Sequence, residues 1–464
     1  MDCVYEQEAS ITKQSENNKT IQEPAREVSV CHEADVVVVG GGAAGCAAAV
    51  AAARNGANTV LLERYGHLGG MATGGLVIVI MPMSDGTAEQ QIAGLCQEVV
   101  DRLDAMGAAI HPEKKDLGSS EGRLVNHWKR YAFSVIEGKI RLSATIDPEA
   151  LKSVLNDMVT EAGVKLLLHS LGTQAIVKQN EAQGVISESK SGRRAVLGKV
   201  IIDATGDGDV FAAAGAPFDS RMNPEMRSSH LALTFRIGNI DSNRYFSFRE
   251  SEALKYAELM RELEGLGGFT MYIKTTREDV MWVNNFIPGL NPLNTADLTW
   301  LEVNGRKRAL ITQRFLKEHV PGFENGFIMD TASQIGVRSS RRLIGEHILT
   351  EQDIFSGTIF PDTIAVCPDF RHTVSPEHPH WHVPYRSLIP NQVDRLLVAG
   401  RCFSSDQVAN DLLAPIQFCI AMGQAAGTAA ALAIKHGVAV RHLDYRILHN
   451  SLVDQGVPLP NIEG

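Results

Sequence analysis

The chain has 464 residues, too many for one small core, and its 44% hydrophobic content is ordinary for a globular protein of two or three domains. Its 44 basic and 54 acidic side chains leave a formal charge of −10, which disfavours nucleic acid and anionic membrane as partners. The seven cysteines contain no C-x-x-C pair and fit neither a zinc ribbon nor a disulfide framework. With no signal-peptide core at the start and no uninterrupted apolar run of spanning length, a soluble, cytoplasmic protein is expected.

Residues 1–33 read as a flexible polar arm. Order is expected from Asp35-Val36-Val37-Val38-Val39, a β-branched run typical of a strand buried on both faces. It leads into Gly40-Gly41-Gly42-Ala43-Ala44-Gly45, which satisfies G-x-G-x-x-G at Gly40, Gly42 and Gly45. The first glycine permits the tight turn, the second lets a pyrophosphate approach the backbone, and the third lets helix and strand pack closely. The helix that follows is rich in alanine, and its N-terminal N–H groups, with Ala43 and Ala44, face the phosphates. A second strand, Asn58 to Leu62, ends at Glu63, an acid placed to accept hydrogen bonds from a ribose.

Just beyond comes a second glycine-rich stretch, Glu63-Arg64-Tyr65-Gly66-His67-Leu68-Gly69-Gly70-Met71-Ala72. A nicotinamide enzyme has no special need for it. A flavoprotein does, because backbone must pass along the ribityl chain and the isoalloxazine ring. Further on, Asp147-Pro148 opens an amphipathic helix with proline at its first position, and Val164 to Leu168 reads as another strand.

The runs GGGAAGCAAAVAAARNG, LLERYGHLGGMATGGL, IIDATGDGDVFAAAGAP, LLVAGRCFSSDQVA and GQAAGTAAALA resemble the FAD-dependent oxidoreductase family, within the wider glutathione-reductase-like group that includes fumarate reductase and succinate dehydrogenase flavoproteins. The resemblance extends from about Ala34 to about Val438. It implies an α/β fold: a Rossmann-like FAD-binding domain built on βαβ units and a parallel sheet, with an inserted α+β substrate domain. The expected FAD-binding parts are residues 34–75, 141–216 and 391–440. The substrate-facing parts are 76–140 and 217–390, and 441–464 is a C-terminal tail.

By the same resemblance Thr205, Gly206 and Asp207 lie on the adenine side of FAD, Gly400 and Arg401 lie at the ribityl-phosphate, and the helix from Ile416 opens close to the flavin. Its positive end would favour negative charge on the reduced ring. Related chains often carry a basic residue just before this helix. Here Leu412-Leu413-Ala414-Pro415-Ile416-Gln417 is apolar, which weakens the expectation of an anionic substrate anchored there.

Two stretches could carry the chemistry. In Gly336 to His347, Arg338 or Arg341 could clamp a carboxylate or stabilise an enolate; equally, these arginines could hold Glu346 and other acids in salt bridges. In Glu377-His378-Pro379-His380-Trp381-His382-Val383-Pro384-Tyr385-Arg386, an extended chain puts His378, His380 and His382 on one face and Trp381 on the other. A solvated loop, a metal centre and an active-site role all fit that pattern; no metal is assigned. The resemblance of its second half to the segment leading back to the flavin domain favours His380 or His382 as proton carrier, with Tyr385 orienting a substrate oxygen.

The expected activity is oxidation or dehydrogenation of a small organic substrate, or reduction of an activated double bond in one. Hydride would pass at flavin N5, and oxygen or an external electron carrier would complete the cycle. Flavin used structurally for hydration or elimination and a histidine-centred metal enzyme remain alternatives, and a homo-oligomer is open.

Overall fold

The computed structural model describes residues 20–87, 89–371 and 380–461. His378 and Pro379 lie outside them.

Strand β1 (Val30–Val39) begins upstream of the Asp35 start expected from the sequence, so the end of the polar arm is strand. The physical reason is a long parallel partner: Val30, His32 and Glu33 continue the ladder against residues 195–197. Helix α1 (Ala43–Arg54) and β2 (Thr59–Leu62) complete the first βαβ half. Next come α2 (Leu95–Ala105), α3 (Pro148–Glu161), β3 (Lys165–Leu167), β4 (Leu171–Lys178), β5 (Glu181–Ser189) and β6 (Gly192–Asp203).

Asp147 caps α3, its carboxylate accepting from the amides of Glu149 and Ala150, and the helix buries Leu151, Val154, Leu155, Met158 and Val159. The strand order is β3-β2-β1-β6-β5-β4, parallel through β6 and antiparallel beyond it. Val36, Val37 and Val38 at its centre are fully buried, as a strand covered on both faces requires.

The second, antiparallel sheet has four strands in the order β8-β9-β7-β10: β7 (Phe235–Gly238), β8 (Met271–Lys274), β9 (Val280–Asn284) and β10 (Phe327–Thr331). Helix α4 (Thr295–His319) packs with it over a separate core that includes Leu233, Phe235, Tyr245, Leu301 and Phe323. The chain then returns through the hairpin β11 (Thr363–Pro368) and β12 (His380–Pro384) to β13 (Leu396–Val398), which lies parallel to the C-terminal end of β6.

Helices α5 (Gln407–Leu413), α6 (Ile416–His436) and α7 (Tyr445–Asp454) finish the chain. α6 crosses α1 at backbone contact. A Cβ on Gly423 would stand 2.1 Å from the Ala44 carbonyl oxygen, and one on Gly427 would stand 2.0 Å from that of Ala48. α6 is the one helix among the described residues long and apolar enough to span a membrane, yet 94% of its apolar window is buried inside the protein.

Three segments sit elsewhere than the sequence boundaries suggest. α2 turns Leu95, Val99, Val100 and Leu103 into the core of the first sheet, away from the four-stranded sheet. The β11–β12 hairpin adds Ile364, Cys367, Trp381 and Val383 to that same core. The tail from residue 441 contains α7, whose Leu448 and Leu452 are fully buried. In each case an apolar stripe found the larger core, a choice that periodicity alone does not make.

Candidate active site

Between the two sheets lies a cavity of about 1030 Å³, at the top of the volume range typical of ligand pockets and roomy enough for a dinucleotide with substrate. All the cofactor residues named from the sequence line it except Gly45: Gly40, Gly42, Ala43 and Ala44; Glu63 and Arg64; Gly69, Gly70, Met71 and Ala72; Thr205, Gly206 and Asp207; Gly400 and Arg401; and Ile416.

The three fingerprint glycines divide as their steric roles require. Gly40 has φ +100°, and a Cβ there would stand 2.4 Å from the Ala204 carbonyl oxygen, so the turn passes hard against the end of β6. A Cβ on Gly45 would fall 1.7 Å from the Gly40 oxygen, which makes this residue the helix-to-strand contact and explains its absence from the wall. A Cβ on Gly42, by contrast, would meet nothing within 4 Å: it would enter the cavity, where a phosphate must approach.

Glu63 is buried at the end of β2. Its carboxylate accepts from the Gly41 amide at 2.6 Å and the Tyr65 amide at 2.7 Å, which fixes it beside the glycine turn with lone pairs to spare for a ribose. The two glycine loops are tied by the Gly69 amide donating to the Gly41 carbonyl at 2.8 Å.

At the end of β6, buried Asp203 accepts four hydrogen bonds, from the Thr205 amide and hydroxyl and from the amides of Val210 and Phe211. Burial pushes its carboxyl up to about 6 against those bonds. Asp203 thereby shapes the Thr205–Asp207 loop. That loop is pinned by Arg401, whose Nε donates to Gly206 at 2.8 Å and whose Nη2 meets Asp207 at 2.6 Å, with a further bond to the Val337 carbonyl. These residues fit FAD: an open glycine cradle, a held acid, and a second glycine loop running into the cavity.

The far wall belongs to the second sheet and its connections, with Met271, Ile273, Trp282 and Asn284 from β8 and β9, and Phe133, Phe286 and Gln334 from loops. Phe133 adopts φ +59°, an uncommon conformation for a bulky residue, and its ring meets that of Phe370 edge-on at 6.1 Å. Trp282 Nε1 and Gln334 Nε2 are buried there without a hydrogen-bond partner among the described residues.

The catalytic candidates fare differently. Arg341 lines the cavity, but one of its nitrogens donates to both the Asp207 carbonyl and the Asp209 carboxylate at 2.9 Å, so it braces the cofactor loop. Arg338 lines it too, donating to the carbonyls of His230 and Asn285 and stacking 4.1 Å over the Phe286 ring. Glu346, expected as an arginine partner within its own segment, pairs with Arg441 instead.

His380, His382 and Tyr385 are not among the residues that line the cavity. β12 is a core strand: Trp381 is fully buried against Phe370 and Phe418, and Tyr385 donates its hydroxyl to the Val440 carbonyl at 2.9 Å. His380 Nε2 lies 3.1 Å from Asp85. Burial pushes that carboxyl up, but hydrogen bonds from His380 and Thr87 outweigh it and hold Asp85 well below the usual carboxylate range. No histidine lines the cavity among the described residues. Arg227, Trp282, Gln334 and Arg371 are wall residues that sequence reasoning missed; Gln334 lies just before the Gly336–His347 stretch, and no motif surrounds the other three.

No curated protein matches the chain. Among solved structures, p-nitrophenol 4-monooxygenase from Pseudomonas putida DLL-E4 aligns at 12% identity over 91% of this chain and 87% of that one, with a TM-score of 0.48. A flavin-dependent brominase aligns at 14% identity over 91% and 83%, with a TM-score of 0.45. A geranylgeranyl bacteriochlorophyll reductase-like protein from Thermoplasma acidophilum aligns at 14% over 91% and 83%, with a TM-score of 0.44. These likenesses are too distant to assign a reaction. The model of the FAD dependent oxidoreductase family matches residues 35–452, most of the chain, and the protein belongs to that family.

Proposed function

We propose that this FAD-dependent oxidoreductase oxidises or reduces a small organic substrate held in the cavity between its two sheets. The observation that carries this reading is the shared cavity: one wall is the dinucleotide glycine turn with Glu63 and the second glycine loop, and the other is the four-stranded sheet. FAD, when bound, supplies the two-electron chemistry, with hydride passing between a substrate carbon and ring N5.

The chain supplies the rest. Glu63 and the Gly40–Ala44 turn hold the nucleotide, and Arg341 and Arg401 lock the Thr205–Asp207 loop against it. The apolar wall of Met81, Phe133 and Trp282 excludes water from the reacting face. Oxygen or an external electron carrier closes the cycle. The place in the glutathione-reductase-like group beside fumarate reductase and succinate dehydrogenase flavoproteins is part of this proposal and rests on the motifs alone.

The accompanying proton is not assigned to His380 or His382, because neither lines the cavity. The reading is tested by anaerobic mixing of the FAD-loaded protein with a panel of alcohols, amines, hydroxy acids and other organic acids, and of its reduced form with activated alkenes. Bleaching or reoxidation of the flavin band by a panel member is expected. A flavin that stays unchanged while the same compound is converted would show structural FAD and contradict the proposal.

A further inference from the structure

The sequence before α6 is apolar, yet the structure gathers positive charge at that end of the cavity from three distant segments. Arg227, Arg338 and Arg371 all line the same cavity as Ala414, Pro415 and Ile416. Arg227 is matched: its Nε and Nη2 meet Asp411 at 3.2 and 2.9 Å. The other wall acids are also matched, Asp207 by Arg401, Asp209 by Arg341 and Glu302 by Arg306. Glu63 is held by backbone amides. Arg338 and Arg371 are left with no carboxylate within ion-pair distance among the described residues.

Arg338 is the better placed of the two. Its anchors are the neutral carbonyls of His230 at 2.9 Å and Asn285 at 3.2 Å and the face of Phe286, so the guanidinium is oriented without being neutralised. Burial and the nearby Arg227 bring its pKa down to about 9, and burial and Arg227 shift Arg371 in the same direction, against a smaller opposing pull from Asp411 on both. A partly buried cation whose nearby carboxylate, Asp411, is already paired with Arg227 is costly, and an anion arriving beside it would relieve that cost. Around it the wall carries the apolar faces of Phe133, Trp282 and Phe286.

We infer that the substrate is an organic acid whose carboxylate docks on Arg338, in the positive field shared with Arg227 and Arg371, with its apolar body along Phe133 and Trp282. This deepens the oxidoreductase reading and rests on it. The missing basic residue before α6 is thus replaced by arginines brought in from elsewhere in the fold.

The test uses the FAD-loaded protein and follows the flavin absorption band while 3-phenylpropionate or its amide is added. The acid is expected to perturb the band saturably and to bind about tenfold or more tightly than the amide, with the difference shrinking in high salt. Arg338→Gln should lose about tenfold in affinity for the acid and little for the amide, and exposed Arg371→Ala about two- to fivefold.

Equal binding of acid and amide, or Arg338→Gln and Arg371→Ala variants that both bind the acid like the wild type, would overturn the inference. So would a change confined to the flavin potential, which would assign the arginines to the reduced ring. If Arg338→Gln does not fold, Arg371→Ala and the acid–amide comparison decide. A protein that takes up FAD and is reducible but ignores the carboxylate refutes this inference alone, whereas one that cannot bind FAD refutes the reading beneath it.

Discussion

The two walls of the cavity are built by different rules. The nucleotide wall is made of short stretches in which backbone does the work: the Gly40–Ala44 turn, the Gly69–Ala72 loop, the Thr205–Asp207 loop and Gly400. The facing wall is made of side chains delivered by separated segments: Phe133, Arg227, Trp282, Gln334 with Arg338, and Arg371. A backbone site needs small residues at fixed spacing and therefore writes a motif. A side-chain site needs only that the fold bring its members together, so the cofactor side can be read from sequence and the substrate side, apart from Arg338, cannot.

Substitutions should separate the walls. The largest effect is expected from Gly45→Val, because a Cβ there would lie 1.7 Å from the Gly40 oxygen. A loss of about 4 kcal/mol or more is expected, seen as insoluble or colourless protein in a measurement of bound FAD. Glu63→Ala removes the acid that holds the Gly41 and Tyr65 amides. FAD affinity should fall about ten- to a hundredfold, from the worth of charged hydrogen bonds, while the melting temperature of the FAD-free protein changes less.

On the opposite wall, Arg338→Gln should leave FAD content unchanged and raise KM for the true substrate about tenfold. FAD loss in that variant would erase the distinction between the walls.

The smallest effect on catalysis belongs to the β12 strand, which packs in the core. His380→Ala should leave turnover within about threefold of wild type, the scatter expected for residues outside a site. A yellow, equally stable protein with turnover lost would restore the proton-carrying histidine. Its partner provides a pH test of stability. Asp85 is held below the unfolded carboxylate value near 3.9. Its contribution is therefore complete above about pH 4 and disappears as pH falls toward the folded value. Asp85→Asn should lose about 1–3 kcal/mol at neutral pH, and denaturation curves of the two proteins should converge in acid.

Much of the fold was legible because its signals are local. The Val36–Val39 run, the glycine turn, the Pro148 helix start and the small residues of α6 each follow from steric needs that one segment states in full. What was not legible depended on which core an apolar stripe would join. The stretch from His380 to Tyr385 shows this well. Its histidines drew the eye, while Trp381 and Val383 decided its fate by packing into the larger core. Arg341 and Arg338 shared one segment and looked equivalent, yet Asp209 stands near one and not the other, so the fold gave them separate tasks.

The central claim is that both walls serve one redox reaction. Rapid anaerobic mixing of the FAD-loaded protein with a panel of organic acids, followed at the flavin band, tests it most directly. Saturable bleaching by at least one acid, weakened by Arg338→Gln with FAD content intact, is the expected result. Conversion of that acid with the flavin oxidised throughout would contradict it.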